Sequence, residues 1–346
     1  MDQRSHIEPR LPNTAAKIDS MERRAILELT GAALVAPCLV FAQQPSRIYR
    51  IALLDDADEA ARKADWVEFR NRLRELGILE GKNATFETRF AGGEHERLAG
   101  LARELVASKP DILVTTGTPG ARALIKASAS IPIVFIGAAD PIGSGLVASL
   151  SRPGGNATGL SVLSIETTQK SLELLHEVAP GAQRIAFLSD PANEITASIF
   201  SRLTENARRL NVSIQMMDGI GRPALERSFE TIRREHFQAL LVGTTGTLLD
   251  HRDEIVRFAA REKLPAVYGR LDFVRAGGLI SYGVDRVSGL RRAAEFVQRI
   301  LLGESPANIP VEQISTTRMA INLKAARAIG IKIPDSIRVR ADETFE

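Results

Sequence analysis

Thr116-Gly117-Thr118, Ser189-Asp190 and Thr244-Thr245 place small hydroxyls and a glycine where β-branched runs give way to helical ones. Such turns leave backbone N–H groups open at a helix N-terminus, where the helix dipole adds partial positive charge. They suit a carboxylate or another anion. Asp55-Asp56, Ala139-Asp140 and Gly269-Arg270 occupy the same place after other runs, and Asp285 follows the run Ser281 to Val284. Asp140 or Asp285 could receive an ammonium, and Arg270 could grip a carboxylate through two parallel N–H donors. Any one of these turns taken alone is better explained by helix capping, because Ser, Thr and Asp are ordinary N-caps, and for Asp140 and Asp285 capping stands level with ligand contact. Their accumulation beyond the carboxyl ends of successive runs is what points to a ligand cleft.

The acidic group Asp55, Asp56, Asp58 and Glu59 has the look of a metal cluster, but it opens a helix, where compensation of the helix dipole accounts for it. No catalytic constellation accompanies these residues. A phosphate-binding G-x-x-x-x-G-K-[ST] loop, a G-x-G-x-x-G turn after the first strand and a G-x-S-x-G nucleophile elbow are all missing from the sequence. His95, His176, His236 and His251 are scattered, with no second histidine at metal-ligand spacing. The expectation is reversible binding without bond chemistry: not an enzyme, no cofactor, no metal.

The elements that must position the turns follow from hydrophobic periodicity. Ile48–Leu54, Ala84–Arg89, Ile112–Thr115 and Ile131–Ile136 read as strands, with helices over Glu59–Leu76 and Glu94–Ser108 and after Gly120. After Pro153-Gly154-Gly155-Asn156 the plan begins again. Strands are predicted over Arg184–Leu188, Ser213–Met217, Ala239–Val242 and Ala266–Tyr268, and helices over Glu194–Leu210, Arg222–His236 and Leu248–Lys263. Alternation of this kind predicts parallel sheets with helices on both faces. The fold class is α/β, with two Rossmann-like lobes and a cleft between them.

Lys and Arg total 45 against 42 for Asp and Glu, a net charge of +3, and the two signs are interspersed along helices. That argues against a nucleic-acid surface. The single cysteine, Cys38, lies near the N-terminus, so the body has no disulfide and no Cys-type zinc site. From Met21, an arginine pair leads into an apolar run, Leu29 to Phe41, that ends at Val40-Phe41-Ala42. This is the layout of a bacterial export signal over residues 21–42, cleaved after Ala42. The run is shorter than the ~20 residues of a membrane span. Residues 1–20 read as an over-extended start ahead of Met21. Val35-Ala36-Pro37 departs from a lipobox, which argues against acylation of Cys38. The expected location is the periplasm.

Several stretches also carry a family resemblance. They include Arg50-Ile51-Ala52-Leu53-Leu54, Lys109-Pro110-Asp111-Ile112-Leu113, Asp140-Pro141-Ile142-Gly143-Ser144-Gly145 and Arg152-Pro153-Gly154-Gly155-Asn156. Further on come Phe273-Val274-Arg275-Ala276-Gly277-Gly278 and Ile321-Asn322-Leu323-Lys324. Over residues 47–346 the chain resembles ABC transporter substrate-binding proteins of the tryptophan and tyrosine type, with a type I periplasmic-binding fold. The resemblance implies a two-lobed protein that closes on its ligand, one lobe formed by 47–160 plus 284–312 and the other by 161–283 plus 313–346. It implies ligand contacts from Thr116 to Thr118, Ala139-Asp140, Ser189-Asp190, Thr244-Thr245 and Asp285. The implied partners are a small solute, an amino acid or another anionic or zwitterionic molecule, and the permease and ATPase of an importer, with the protein itself a monomer. The alternatives are an extracytoplasmic sensor acting with a membrane receptor, or an exported α/β enzyme.

Overall fold

The computed structural model describes residues 47–346. The extension 1–20, the export signal 21–42 and Cys38 lie outside the described residues.

The first half of the chain runs β1 (Tyr49–Asp55), α1 (Glu59–Glu75), β2 (Ala84–Phe90), α2 (His95–Ala107), β3 (Ile112–Thr116), α3 (Gly117–Ala127), β4 (Ile133–Ala139) and β5 (Ala157–Val162). Then follow α4 (Ser164–Val178), β6 (Arg184–Ser189), α5 (Glu194–Arg209), β7 (Ser213–Asp218), α6 (Arg222–Arg234) and β8 (Ala239–Val242). A 3-10 turn over Gly246–His251 leads into α7 (Arg252–Arg261), β9 (Ala266–Tyr268), α8 (Leu271–Arg275) and β10 (Ile280–Val284). The return passes through α9 (Arg286–Leu301), β11 (Glu312–Ile314), β12 (Thr317–Asn322), α10 (Leu323–Ile329), α11 (Asp335–Arg338) and β13 (Glu343–Phe345).

Two sheets result. One has the order β11-β5-β4-β3-β1-β2, and the other β13-β12-β10-β9-β8-β6-β7. The first is parallel throughout, and in the second β12 runs antiparallel to β10. The period-2 rule explains how each sheet is covered on both faces. Ile51 and Leu53 of β1 pack with Trp66, Phe69 and Leu73 of α1 and Phe296 of α9. Ala52 and Leu54 face the opposite way, onto Leu98 and Leu105 of α2 and Leu124 of α3. In the second sheet, Ile185 and Phe187 pack on Leu172, Leu175 and Leu203, while Ala186 and Leu188 face Leu225, Phe229 and Phe258.

The chain passes between sheets three times: after β5, after β10 and between β11 and β12. β5 continues to Val162 and β11 to Ile314, two residues beyond the lobe limits read from the sequence. β4 starts after Pro132, which has no N–H to give, and extends to Ala139 through a bulge between Ile136 and Ala138. The helix expected over 248–263 is wound as a 3-10 turn up to His251.

Candidate functional site

Every strand end that the sequence marks with a hydroxyl, glycine or acid opens toward the space between the two sheets. A cavity of about 290 Å³ lies there, lined from both lobes. Thr116, Gly117, Thr118 and Ala139 line it from the first lobe. Ser189, Thr244, Thr245 and Arg270 line it from the second, and Asp56 and Asp285 also reach it.

Its most distinctive chemistry is a knot of buried charge. In α1, Arg62, Trp66, Phe69 and Leu73 form one buried stripe, so a guanidinium is driven into the interior together with apolar side chains. Arg62 Nε donates to Asp55 Oδ1 at 3.0 Å, Nη2 to Asp56 Oδ1 at 3.1 Å and Nη1 to Asp65 Oδ2 at 3.2 Å. Trp66 Nε1 donates to the other oxygen of Asp55 at 2.8 Å. Asp65 Oδ2 is also reached by Arg286 Nη2 at 2.7 Å and, from the second lobe, by Arg270 Nη2 at 3.4 Å. Arg270 Nε donates to Asp272 Oδ2 at 3.0 Å. Buried ions survive only when paired and hydrogen-bonded, and here four carboxylates enclose three guanidiniums.

The titration of the knot follows from this packing. Burial and the neighbouring Asp56 push Asp55 up to about 6 against the pull of Arg62. Burial would raise Asp56 too, but the Arg62 guanidinium, with the hydrogen bond shared with Asp55, holds the group below the usual range. Asp65 is also buried, yet Arg286, Arg270 and Arg62 together hold it far below that range. Burial, reinforced by the adjacent Arg286, lowers Arg270 to about 10.

Beside the knot lie open donors. The Oγ1 atoms of Thr116 and Thr245, one from each lobe, are buried and have no protein partner. Thr116 precedes α3, and Gly117 begins that helix at φ +69°, a left-handed conformation that favours glycine. Thr118 is already committed: its Oγ1 accepts from Ala139 N at 3.1 Å and donates to Ala139 O at 3.2 Å. The remaining lining includes Ile136, Val162, Phe187, Ile195 and Ile199. Thr167 and Thr168 join them, their hydroxyls turned back to Leu163 O and Ser164 O of their own helix. The site thus combines a charged and hydroxyl-bearing part with an apolar one.

Three residues expected at the site do not line the cavity. Asp55 lies behind it, occupied by Arg62 and Trp66. Asp140 is exposed and closes its own turn by accepting from Gly143 N at 2.9 Å. Asp190 accepts from Ala192 N at 3.0 Å and from Thr247 Oγ1 at 3.3 Å. Two others are present in roles different from those expected. Arg270 is engaged by Asp65 and Asp272. Asp285 caps α9 through Val287 N and takes Arg318 Nε at 3.1 Å. Sequence reasoning missed Arg62, Asp65, Asp272 and Arg286, because charged residues at helical spacing read as a solvated face. The one available signal was Arg62 at the same helical phase as Trp66, Phe69 and Leu73.

Residues 51–345 match the family described as ABC transporter substrate binding protein. The chain belongs to that family. Among its relatives is a tyrosine-binding protein of Clostridioides difficile, 27% identical over 280 residues that make up 80% of each chain. A solved conserved domain protein from Vibrio cholerae O1 biovar eltor is 28% identical, with a TM-score of 0.80 over 86% of this chain and all of that one. An ABC domain from Streptococcus pneumoniae in complex with L-Trp is 23% identical, with a TM-score of 0.79 and the same coverage. The type I periplasmic-binding fold inferred from the sequence is the observed one. The ABC substrate-binding protein is accordingly an extracytoplasmic receptor for a small molecule, working with the membrane components of an ABC transporter. Among the described residues no helix is long and apolar enough to cross a membrane.

Proposed function

We propose that this receptor serves an importer and binds a small zwitterionic or anionic solute, with amino acids as the leading class, in the cavity between its sheets. The observation that carries this reading is the pair of buried, unpartnered hydroxyls, Thr116 Oγ1 and Thr245 Oγ1, contributed by opposite lobes. A buried polar group without a partner is costly, and a ligand carboxylate accepting from both would satisfy them together. The N–H groups at the start of α3 add to the same subsite. Ile136, Val162, Phe187 and Ile199 then receive the apolar part of the solute. A volume of about 290 Å³ stands at the small end of ligand pockets and suits a molecule of amino-acid size. The names of the relatives, one for tyrosine and one solved with L-Trp, favour the same class.

In this reading the chain is exported, cleaved after Ala42, and acts as a periplasmic monomer without catalysing a reaction on its solute. A thermal-shift screen against the common amino acids, their deaminated carboxylates and small inorganic anions tests it. A true ligand stabilises the protein by about 2.7 kcal/mol at a hundredfold excess over Kd. The reading fails if no member of these classes raises Tm, or if a bound solute is recovered chemically changed.

A further inference from the structure

The lobes also meet outside the cavity lining. Asp250, in the 3-10 turn of the second lobe, accepts the backbone N–H of Asp58 in the first lobe through Oδ1 at 3.0 Å. Its Oδ2 is buried without a partner and lies against Gly93, where an added Cβ would come within 3.3 Å. Alongside, His95 Nε2 approaches Asp190 Oδ2 to 3.3 Å across the same interface. A carboxyl group is thus shut between lobes with one of its oxygens unsatisfied.

We propose that Asp250 is a proton-coupled latch: closing the cleft takes up a proton on this carboxyl, so the closed form gains on the open one as pH falls through neutrality. This rests on the reading of the chain as a receptor whose lobes open and close.

The groups that face Asp250 support the sign. Across the interface stand Asp58 and Asp56, of like charge, with Arg62 behind them. The Gly92-Gly93 turn brings Arg97, which donates to Ala91 O, and His95, which turns to Asp190. On Asp250's own segment, His251 faces Glu254 and Arg252 faces Asp253. Burial dominates and, with Asp58 and Asp56, pushes Asp250 up to about 7 against the pull of the Asp58 N–H and Arg62. Opening would return the group to water and to the ordinary value of about 3.9. A closed-state value near 7 makes the closing constant rise about tenfold from pH 8 to pH 6 and level off near the ordinary value.

The test follows the distance between dyes on Arg103→Cys of α2 and Arg227→Cys of α6 in the full chain carrying Cys38→Ser. Single-molecule energy transfer is read from pH 8 to pH 6, without solute and with L-tryptophan as probe. The closing constant should rise about tenfold without solute, and Asp250→Asn, which keeps the shape and the acceptor for Asp58 N–H, should cut the rise to less than threefold. A flat wild-type response, or an undiminished one in Asp250→Asn, would overturn the latch while leaving a moving receptor. A single distance at every pH, with and without probe, would overturn the latch and the closing receptor together.

Discussion

Thr116 and Thr245 carry the most weight because nothing in the protein uses their hydroxyls. Removing a hydrogen bond to a charged ligand costs about 1.5–3 kcal/mol, so Thr116→Val and Thr245→Val should each weaken solute binding about 10- to 100-fold. Because those hydroxyls have no protein partner, the same variants should leave the ligand-free Tm unchanged or slightly raised. Calorimetric titration beside thermal unfolding separates the two effects, and unchanged affinity in both variants would remove these residues from the site. The hydroxyls were legible in the sequence, as turns that follow strands. The charge knot was not, since beyond the helical phase of Arg62 nothing in the spacing of Asp65 and Arg286 tells a buried ion triad from a solvated helix face. Arg270 shows the limit most clearly. Its type suggests a carboxylate clamp, but its guanidinium is shared between Asp65 of the other lobe and Asp272.

At the level of elements, the strand-helix alternation and the carboxyl-end turns were readable because each depends on a local period. The way the returning chain divides was less so: β11 is only three residues long, and tertiary pairing places it in one sheet and β12 in the other. Asp285 stands where two of the three crossings meet, capping α9 and holding Arg318 of β12. Asp285→Ala should therefore lower stability by about 1 kcal/mol, the worth of an N-cap. Denaturant unfolding checks this, and an unchanged midpoint would return Asp285 to the role of ligand contact. Gly246 serves a different purpose. A Cβ there would lie 2.1 Å from Arg62 Nη2 and 2.6 Å from Asp56 Oδ1, across the interface between lobes. Arg62 is pinned by three carboxylates and cannot yield. Gly246→Ala should spare folding, since the lobes can part, but weaken solute binding at least tenfold by propping the cleft open. Wild-type affinity in this variant would mean that the lobes need not approach this closely.

Taken over the whole molecule, folding moves carboxyl groups in opposite directions, and the balance sets how stability depends on pH. Asp55 and Asp250 are raised, to about 6 and about 7. An acid raised by folding contributes its stability fully below its ordinary value of about 3.9 and loses it as pH climbs through the folded value. Asp65 is depressed by its three arginines, so its contribution is complete above the ordinary value and is lost only in stronger acid. The ligand-free protein should accordingly be most stable near pH 4, declining toward pH 8 as the raised values of Asp55 and Asp250 are passed and toward stronger acid as Asp65 is neutralised. Trp66 offers a built-in reporter, because it is the chain's one tryptophan and its Nε1 is bonded to Asp55. Urea midpoints from its emission should be higher at pH 5 than at pH 8, and the emission of the folded protein should shift with a midpoint near 6. Stability that rises from pH 5 to pH 8 would mean that Asp55 and Asp250 ionise without penalty, and that the enclosure of both carboxyls is looser than their contacts indicate.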